Sequence, residues 1–282
     1  MTGLFLFLCS LLPLKISHLL GSLIGQLLYL FNSDAKKVTT QNIAICLPDL
    51  SKIQQRELVK KALIETGKNL TESSRIWNQS FSDNSKYIRN FHGEQYLSST
   101  EKTILLVPHI GCWEITGRVL ADNREVTFLY KPLRSQKQND YLFARRNKGN
   151  LTMASADHSG ILKLQRALKK GQLIGILPDQ DPGPGQDGGI TAPFFNNPVN
   201  TMTLLVKLAK KHNAQVLMFW ANRLDNGKGF DLNLEPLDLN LNSENLLEQV
   251  TLMNVAIEEL VKRFPEQYMW SYRRFKSTHP YN

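Results

Sequence analysis

Cysteine is scarce, with three residues in 282, Cys9, Cys46 and Cys112. They are too few and too far apart for a disulfide framework or a four-ligand zinc site. None pairs as C-x-x-C, which favours a reducing compartment. Charge is limited too: 21% of residues are charged, against 42% hydrophobic. That balance excludes a disordered chain, and no apolar run is long or frequent enough for a polytopic membrane protein. Acidic residues are the minority, 25 against 34 basic ones, for a formal net charge of +9. The excess favours an anionic partner such as nucleic acid, an anionic membrane or an acidic protein. Internal repeats and low-complexity linkers are absent.

What is present begins with an apolar N-terminus. Residues 4–14 form one run, Lys15 and His18 interrupt it, and 16–31 form a second. In the second, Ile16, Leu19, Leu20, Leu23, Ile24, Leu27, Leu28 and Phe31 recur at helical spacing. Ser17, His18, Gly21, Ser22, Gly25 and Gln26 take the other face. Such a helix lies in a membrane interface, or pairs with the first run to cross a bilayer; a buried helical hairpin is the plain alternative. No Lys or Arg precedes the run, which argues against a cleaved signal peptide. Gly21-x-x-x-Gly25 suits any close helix contact, in a membrane or not.

The rest alternates. Ser51 with Gln54 forms a capping box opening a helix to about residue 77. Strands are expected at 103–107, 126–131, 151–155, 172–177 and 215–221. Helices are expected at 112–121, from Asp157 to 170, at 201–212, and from Ser243 onward. This pattern predicts an α/β fold, a mixed central sheet with helices on both faces, plus an N-terminal membrane-associated helix or helical hairpin. The expected division is a membrane-anchoring segment over 1–32 and one globular domain over 33–282.

The densest chemistry is His109-Ile110-Gly111-Cys112-Trp113-Glu114. It follows a predicted strand, where ligands gather in open α/β sheets. On one continuous helix His109 and Glu114 would point about 140° apart. With His109 in the loop, Gly111 at a turn and Glu114 in the first helical turn, the carboxylate would orient the imidazole. An ordinary loop histidine beside a first-turn Glu is the plain alternative.

This segment resembles the H-x-x-x-x-E signature of the bacterial lipid A biosynthesis acyltransferases, the late enzymes that add lauroyl or myristoyl chains. Further similarities follow in order: Tyr130-Lys131-Pro132, Arg145-Arg146 with Gly149, and Asp179-Gln180-Asp181. Ala192-Pro193-Phe194-Phe195 and the stretch from Tyr268 through Trp270, Arg273, Arg274 and Phe275 complete them. Asn196, Asn200 and Tyr272 stand where the family usually has Gly, a small residue and His. The resemblance implies acyl transfer from acyl carrier protein to a hydroxyl of a lipid A precursor, at the cytoplasmic face of an anionic bacterial inner membrane. His109 would be the general base and Glu114 its orienting group. Arg145, Arg146, Asp179, Gln180 and Asp181 would bind substrate, the arginines by clamping phosphate. A thioester is already activated, so no metal or other cofactor is required. An acyl-enzyme on Cys112 is the less favoured route, since the signature leaves that position open.

Two other features are weaker. Gly183-Pro184-Gly185-Gln186-Asp187-Gly188 satisfies G-x-G-x-x-G, but no helix begins there and Pro184 removes a donor, so a dinucleotide site is not expected. Its glycines would instead let backbone approach a large substrate. Lys131, Arg134, Lys137, Arg145, Arg146 and Lys148 form a basic run with no nucleic-acid fold signature around it. His18, His92, His158, His212 and His279 read as structural or surface residues. Rival functions are acylation of another glycolipid or aminolipid, from acyl-CoA or acyl carrier protein, and a non-catalytic basic membrane-binding protein.

Overall fold

The computed structural model describes residues 2–31, 33–98, 101–133, 135–183 and 189–281. Arg134 and residues 184–188 of the glycine loop lie outside the described residues. The strands are β1 (Ile88–His92), β2 (Thr103–Leu106), β3 (Val126–Tyr130), β4 (Leu151–Ser155), β5 (Leu173–Ile176), β6 (Gly189–Phe194), β7 (Asn197–Met202), β8 (Gln215–Leu224) and β9 (Gly229–Pro236). The helices are α1 (Thr2–Leu11), α2 (Leu14–Leu30), α3 (Asp34–Cys46), α4 (Lys52–Asn78), α5 (Phe81–Ser85), α6 (Trp113–Leu120), α7 (Gln136–Arg146), α8 (His158–Lys169), α9 (Leu204–His212) and α10 (Leu246–Arg263).

Seven strands form one mixed sheet in the order β1-β9-β8-β2-β5-β3-β4. Only the β8–β9 pairing is antiparallel. Central strands β2 and β5 are buried at every residue, as strands covered on both faces must be. Successive residues point to opposite faces. Ile104 and Leu106 therefore join a core with residues of α8, α9 and α10, while Leu105 and Val107 join a second core with Ile115 and Leu120 of α6. The helices thus lie on both faces. Adjacency of β2 and β5 matters for function, because the loops after them emerge side by side.

Local signals set several boundaries. Ser51 accepts from the Gln54 amide while the Gln54 side chain accepts from the Ser51 amide, closing the capping box of α4. Asp157 caps α8 through the Gly160 amide. The helix expected at 201–212 begins only at Leu204. Thr201 and Met202 instead finish the β6–β7 hairpin, in which Ile190 pairs with Thr201. That hairpin turns through Phe195 and Asn196, both with positive φ, at 48° and 57°. Asn tolerates this left-handed region, which explains how it stands where glycine is usual. The last long helix is capped by Asn245 rather than opened at Ser243.

The N-terminal pair packs on α4. Gly21 and Gly25 of α2 meet Gly67 so closely that a Cβ on Gly67 would lie 2.0 Å from the Gly21 carbonyl. The small-residue spacing therefore serves a contact within this chain. Buried with these glycines are Leu14, Ser17 and His18. Ile16, Leu19, Leu23, Leu27, Leu30 and Phe31 face outward, each at least half exposed. The helix is inside out: its small and polar side is packed and its apolar side is open. No single described helix is long and apolar enough to cross a membrane, although α2 and α3 form a bent pair of sufficient length and composition.

Candidate active site

Behind β2, the loop from Pro108 to Cys112 carries His109 and is tied down on every side. Met269 donates its amide to the His109 carbonyl at 3.0 Å, and Gly111 donates to Gln267 at 3.0 Å. Cys112 donates to the Ala221 carbonyl at 2.8 Å. Gly111 has φ of +57°, and a Cβ there would stand 2.0 Å from the Ala221 oxygen, so this turn requires glycine. The Gly111 carbonyl accepts from Asn69 at 2.9 Å and from Arg223 at 3.1 Å.

The loop after β5 supplies the partner of His109. Asp179 Oδ1 lies 2.8 Å from His109 Nδ1, and Asp179 Oδ2 accepts the His109 amide at 2.9 Å. Burial pushes the Asp179 carboxyl up. The His109 charge and hydrogen bonds, with Arg274 beyond, outweigh burial and hold it below the ordinary carboxylate range. An ionised Asp179 only accepts, so Nδ1 carries a proton, and the tautomer able to act as a base presents its lone pair at Nε2. Gln180 Nε2 sits 3.2 Å from that nitrogen, and the Trp113 ring packs edge-on against the imidazole at 5.1 Å.

Sequence spacing pairs His109 with Glu114; the structure gives the orienting contact to Asp179. Glu114, the second residue of α6, turns toward α4 and α7. There its Oε2 accepts from Trp77 Nε1 at 2.7 Å and from Arg146 Nε at 3.1 Å, and its Oε1 accepts from Arg146 Nη2. The Arg146 guanidinium also lies over the Trp77 ring, 5.4 Å from its centroid.

His109, Glu114, Arg146, Gln180 and Asp181 line one cavity of about 440 Å³. Lys131, Trp77, Trp113 and Met269 stand with them, while Phe128, Leu129, Leu151, Met153 and Leu177 make much of the lining apolar. Two expected substrate contacts are absent from this lining. Asp179 is buried behind His109. Arg145 donates to Asn78 at 3.0 Å and stacks on Tyr141, 3.5 Å from the centroid. Asp181 reaches the cavity, but its carboxylate is engaged by Gly183, Asn200 and Ser277. Tyr272 donates to the Asp181 carbonyl at 3.2 Å. Asn200 and Tyr272, which depart from the usual family residues, thus both brace this loop.

Cys112 is buried and outside the cavity lining; burial, with Glu72 close by, pushes its thiol well up. An unionised thiol there is a poor nucleophile. Behind it lies a buried ionic cluster that sequence reading missed. Glu72 Oε2 accepts from Arg223 Nε at 2.8 Å and contacts His18 Nε2 at 2.7 Å, while Glu65 completes the set through Arg223 Nη1. No local spacing signals it, since Arg223 and Glu72 lie 151 residues apart.

A family model for bacterial lipid A biosynthesis acyltransferases matches residues 2–277. The lipid A biosynthesis lauroyltransferase of Escherichia coli K12 is 26% identical over 272 residues, covering 94% of this chain and 87% of that protein. The palmitoleoyltransferase of the same organism is 26% identical over 276 residues, with the same coverage. A lipid A biosynthesis acyltransferase of Haemophilus influenzae is 27% identical over 274 residues, covering 94% of this chain and 83% of that protein. The match runs through the His109 loop, the Asp179 loop and the helices around them, and the chain belongs to the bacterial lipid A biosynthesis acyltransferase family.

Proposed function

We propose that this acyltransferase moves a fatty acyl group from an acyl-carrier-protein thioester to a hydroxyl of a lipid A precursor. One observation carries the reading: His109 Nε2 faces a cavity that is polar around the imidazole and apolar in its depth. A base beside an apolar chamber suits a reaction between a lipid hydroxyl and a fatty thioester.

The acceptor hydroxyl takes the position of the Gln180 amide at Nε2. His109 removes its proton as the oxygen attacks the thioester carbonyl, and Asp179 offsets the positive charge on the ring. Collapse of the tetrahedral intermediate expels the carrier thiolate, which takes the proton from Nε2. The ester is formed, the thiol is released and His109 is neutral again. Arg146 and Lys131 at the cavity are the cations for acceptor phosphate, with Glu114 and Trp77 fixing the Arg146 fork. Arg145 has a bracing role between α4 and α7. The outward apolar stripe of α1 and α2 seats the protein in the inner membrane, beside the lipid acceptor.

The experiment is acyl transfer by the purified full chain in detergent, with lauroyl-acyl carrier protein and a bisphosphorylated lipid A precursor, read by mass spectrometry. Addition of one acyl chain is expected, with His109→Ala at least ~100-fold slower. A His109→Ala protein that turns over at the unaltered rate would overturn the mechanism. Transfer to other glycolipids but never to the lipid A precursor would overturn the acceptor.

A further inference from the structure

The polar groups stand at the mouth of the cavity, and three elements running inward define its depth. Along α6, Glu114 is at the mouth and Gly117 lies three residues on, about 4.5 Å further down the axis. Along β3, Tyr130 is at the mouth and Phe128 sits two residues earlier, about 6.7 Å deeper on the same side of the strand. Leu151 has the same relation to Met153 on β4. All six of these residues line the cavity. The next layer inward, Leu120, Ala121 and Val126, is buried and takes no part in the lining. The chamber therefore ends at Gly117, Phe128 and Leu151.

These three close on one another. A Cβ on Gly117 would lie 3.1 Å from Phe128 Cε2 and 3.3 Å from Leu151 Cδ1. The tip of the Phe128 ring rests on Gly175, where a Cβ would fall 2.4 Å from Cζ, so the ring is backed by main chain and is the floor. Gly117 is the wall position beside it that carries no side chain.

From this we infer that Gly117 and Phe128 set the length of acyl chain the enzyme accepts. The inference rests on the acyl-transfer reading above. A methyl group at 117 enters the chamber just above the floor and shortens it. A smaller side chain at 128 or 151 lowers the floor. Burial of each methylene is worth about fourfold in a binding constant, so loss or gain of room for one is visible in competition between donors.

The test uses full-length protein in detergent with decanoyl-, lauroyl-, myristoyl- and palmitoyl-acyl carrier protein, each measured as kcat/KM with one lipid A precursor. Gly117→Ala is expected to shift the preference toward shorter chains by at least about fourfold between neighbouring donors. Phe128→Leu and Leu151→Ala are expected to shift it toward longer ones. Reversed signs for the two kinds of variant distinguish a floor from general damage, which lowers all donors together. Variants that transfer with the unaltered length profile, or that lose all lengths in equal proportion, overturn the inference. Failure of the unaltered protein with every donor would instead overturn the acyl-transfer reading.

Discussion

Asp179 holds His109 by two atoms at once, one oxygen on ring Nδ1 at 2.8 Å and the other on the backbone amide at 2.9 Å. Both the tautomer and the position of the ring therefore depend on one buried carboxylate. Asp179→Asn keeps the shape but allows the amide to donate to Nδ1, which puts the ring proton on Nε2, where no base can act. Acyl transfer should fall by about 10²–10⁴-fold with little change in substrate KM, measured as kcat on purified protein. Glu114→Gln should leave the ring in place and act mainly through Arg146.

Arg146 and its neighbour in sequence should behave differently. Arg146 lines the cavity, whereas Arg145 is spent on Asn78 and Tyr141. Arg146→Ala should raise the KM for a phosphorylated acceptor about tenfold or more and leave the donor KM nearly constant. Arg145→Ala should lower thermal stability with a smaller effect on acceptor KM. Michaelis constants for both substrates, with and without acceptor phosphate, check this.

The buried cluster around Glu72 has a pH signature. Burial alone would raise the carboxyl of Glu72, but Arg223 and then His18 outweigh it and bring it from 4.5 to about 2. A carboxylate depressed on folding gives stability that is complete above its unfolded value and lost as pH falls through the folded one. Thermal midpoints should therefore hold above pH 4.5 and decline from there toward pH 2. Glu72→Gln leaves Arg223 with Glu65 as its remaining carboxylate and should cost up to about 3–5 kcal/mol at neutral pH. Its midpoint should also vary less with acid, as melting curves across that range would reveal.

Much of this architecture was readable from residue pattern. The short apolar runs at β2 and β5 announced buried strands, and Ser51 with Gln54 announced α4. The hairpin β6–β7 was hidden because its strands carry Pro193 and Pro198 directly opposite each other, and proline in a run argues against a strand. Helix α7 escaped because it buries none of its residues, so no apolar face repeats along it. At the site, His109, Glu114 and Arg146 were legible as residue types, while the pairing of His109 with Asp179 was not. Those residues are 70 apart, and only the adjacency of β2 and β5 joins them.

The outward stripe of α2 can be tested without disturbing its packing. Leu19→Gln, Leu23→Gln and Leu27→Gln together change half-exposed positions that do not touch Gly67. The triple variant should bind anionic vesicles at least tenfold more weakly than the unaltered chain in a flotation assay and keep its thermal midpoint in detergent. A truncation starting near Asp34 is a poorer probe, because it uncovers Gly67 and removes His18 from Glu72.

The glycine seam of α2 also separates two kinds of information. One side of the helix, through Ser17, His18, Gly21 and Gly25, is written for the fold, and any side chain at the two glycines meets backbone. The opposite side meets only the surroundings. Residues on the two sides are thus free to drift, or to be redesigned, independently. A library confined to the outer positions could retune the protein for bilayers of another composition while the catalytic centre inherits the same scaffold unchanged.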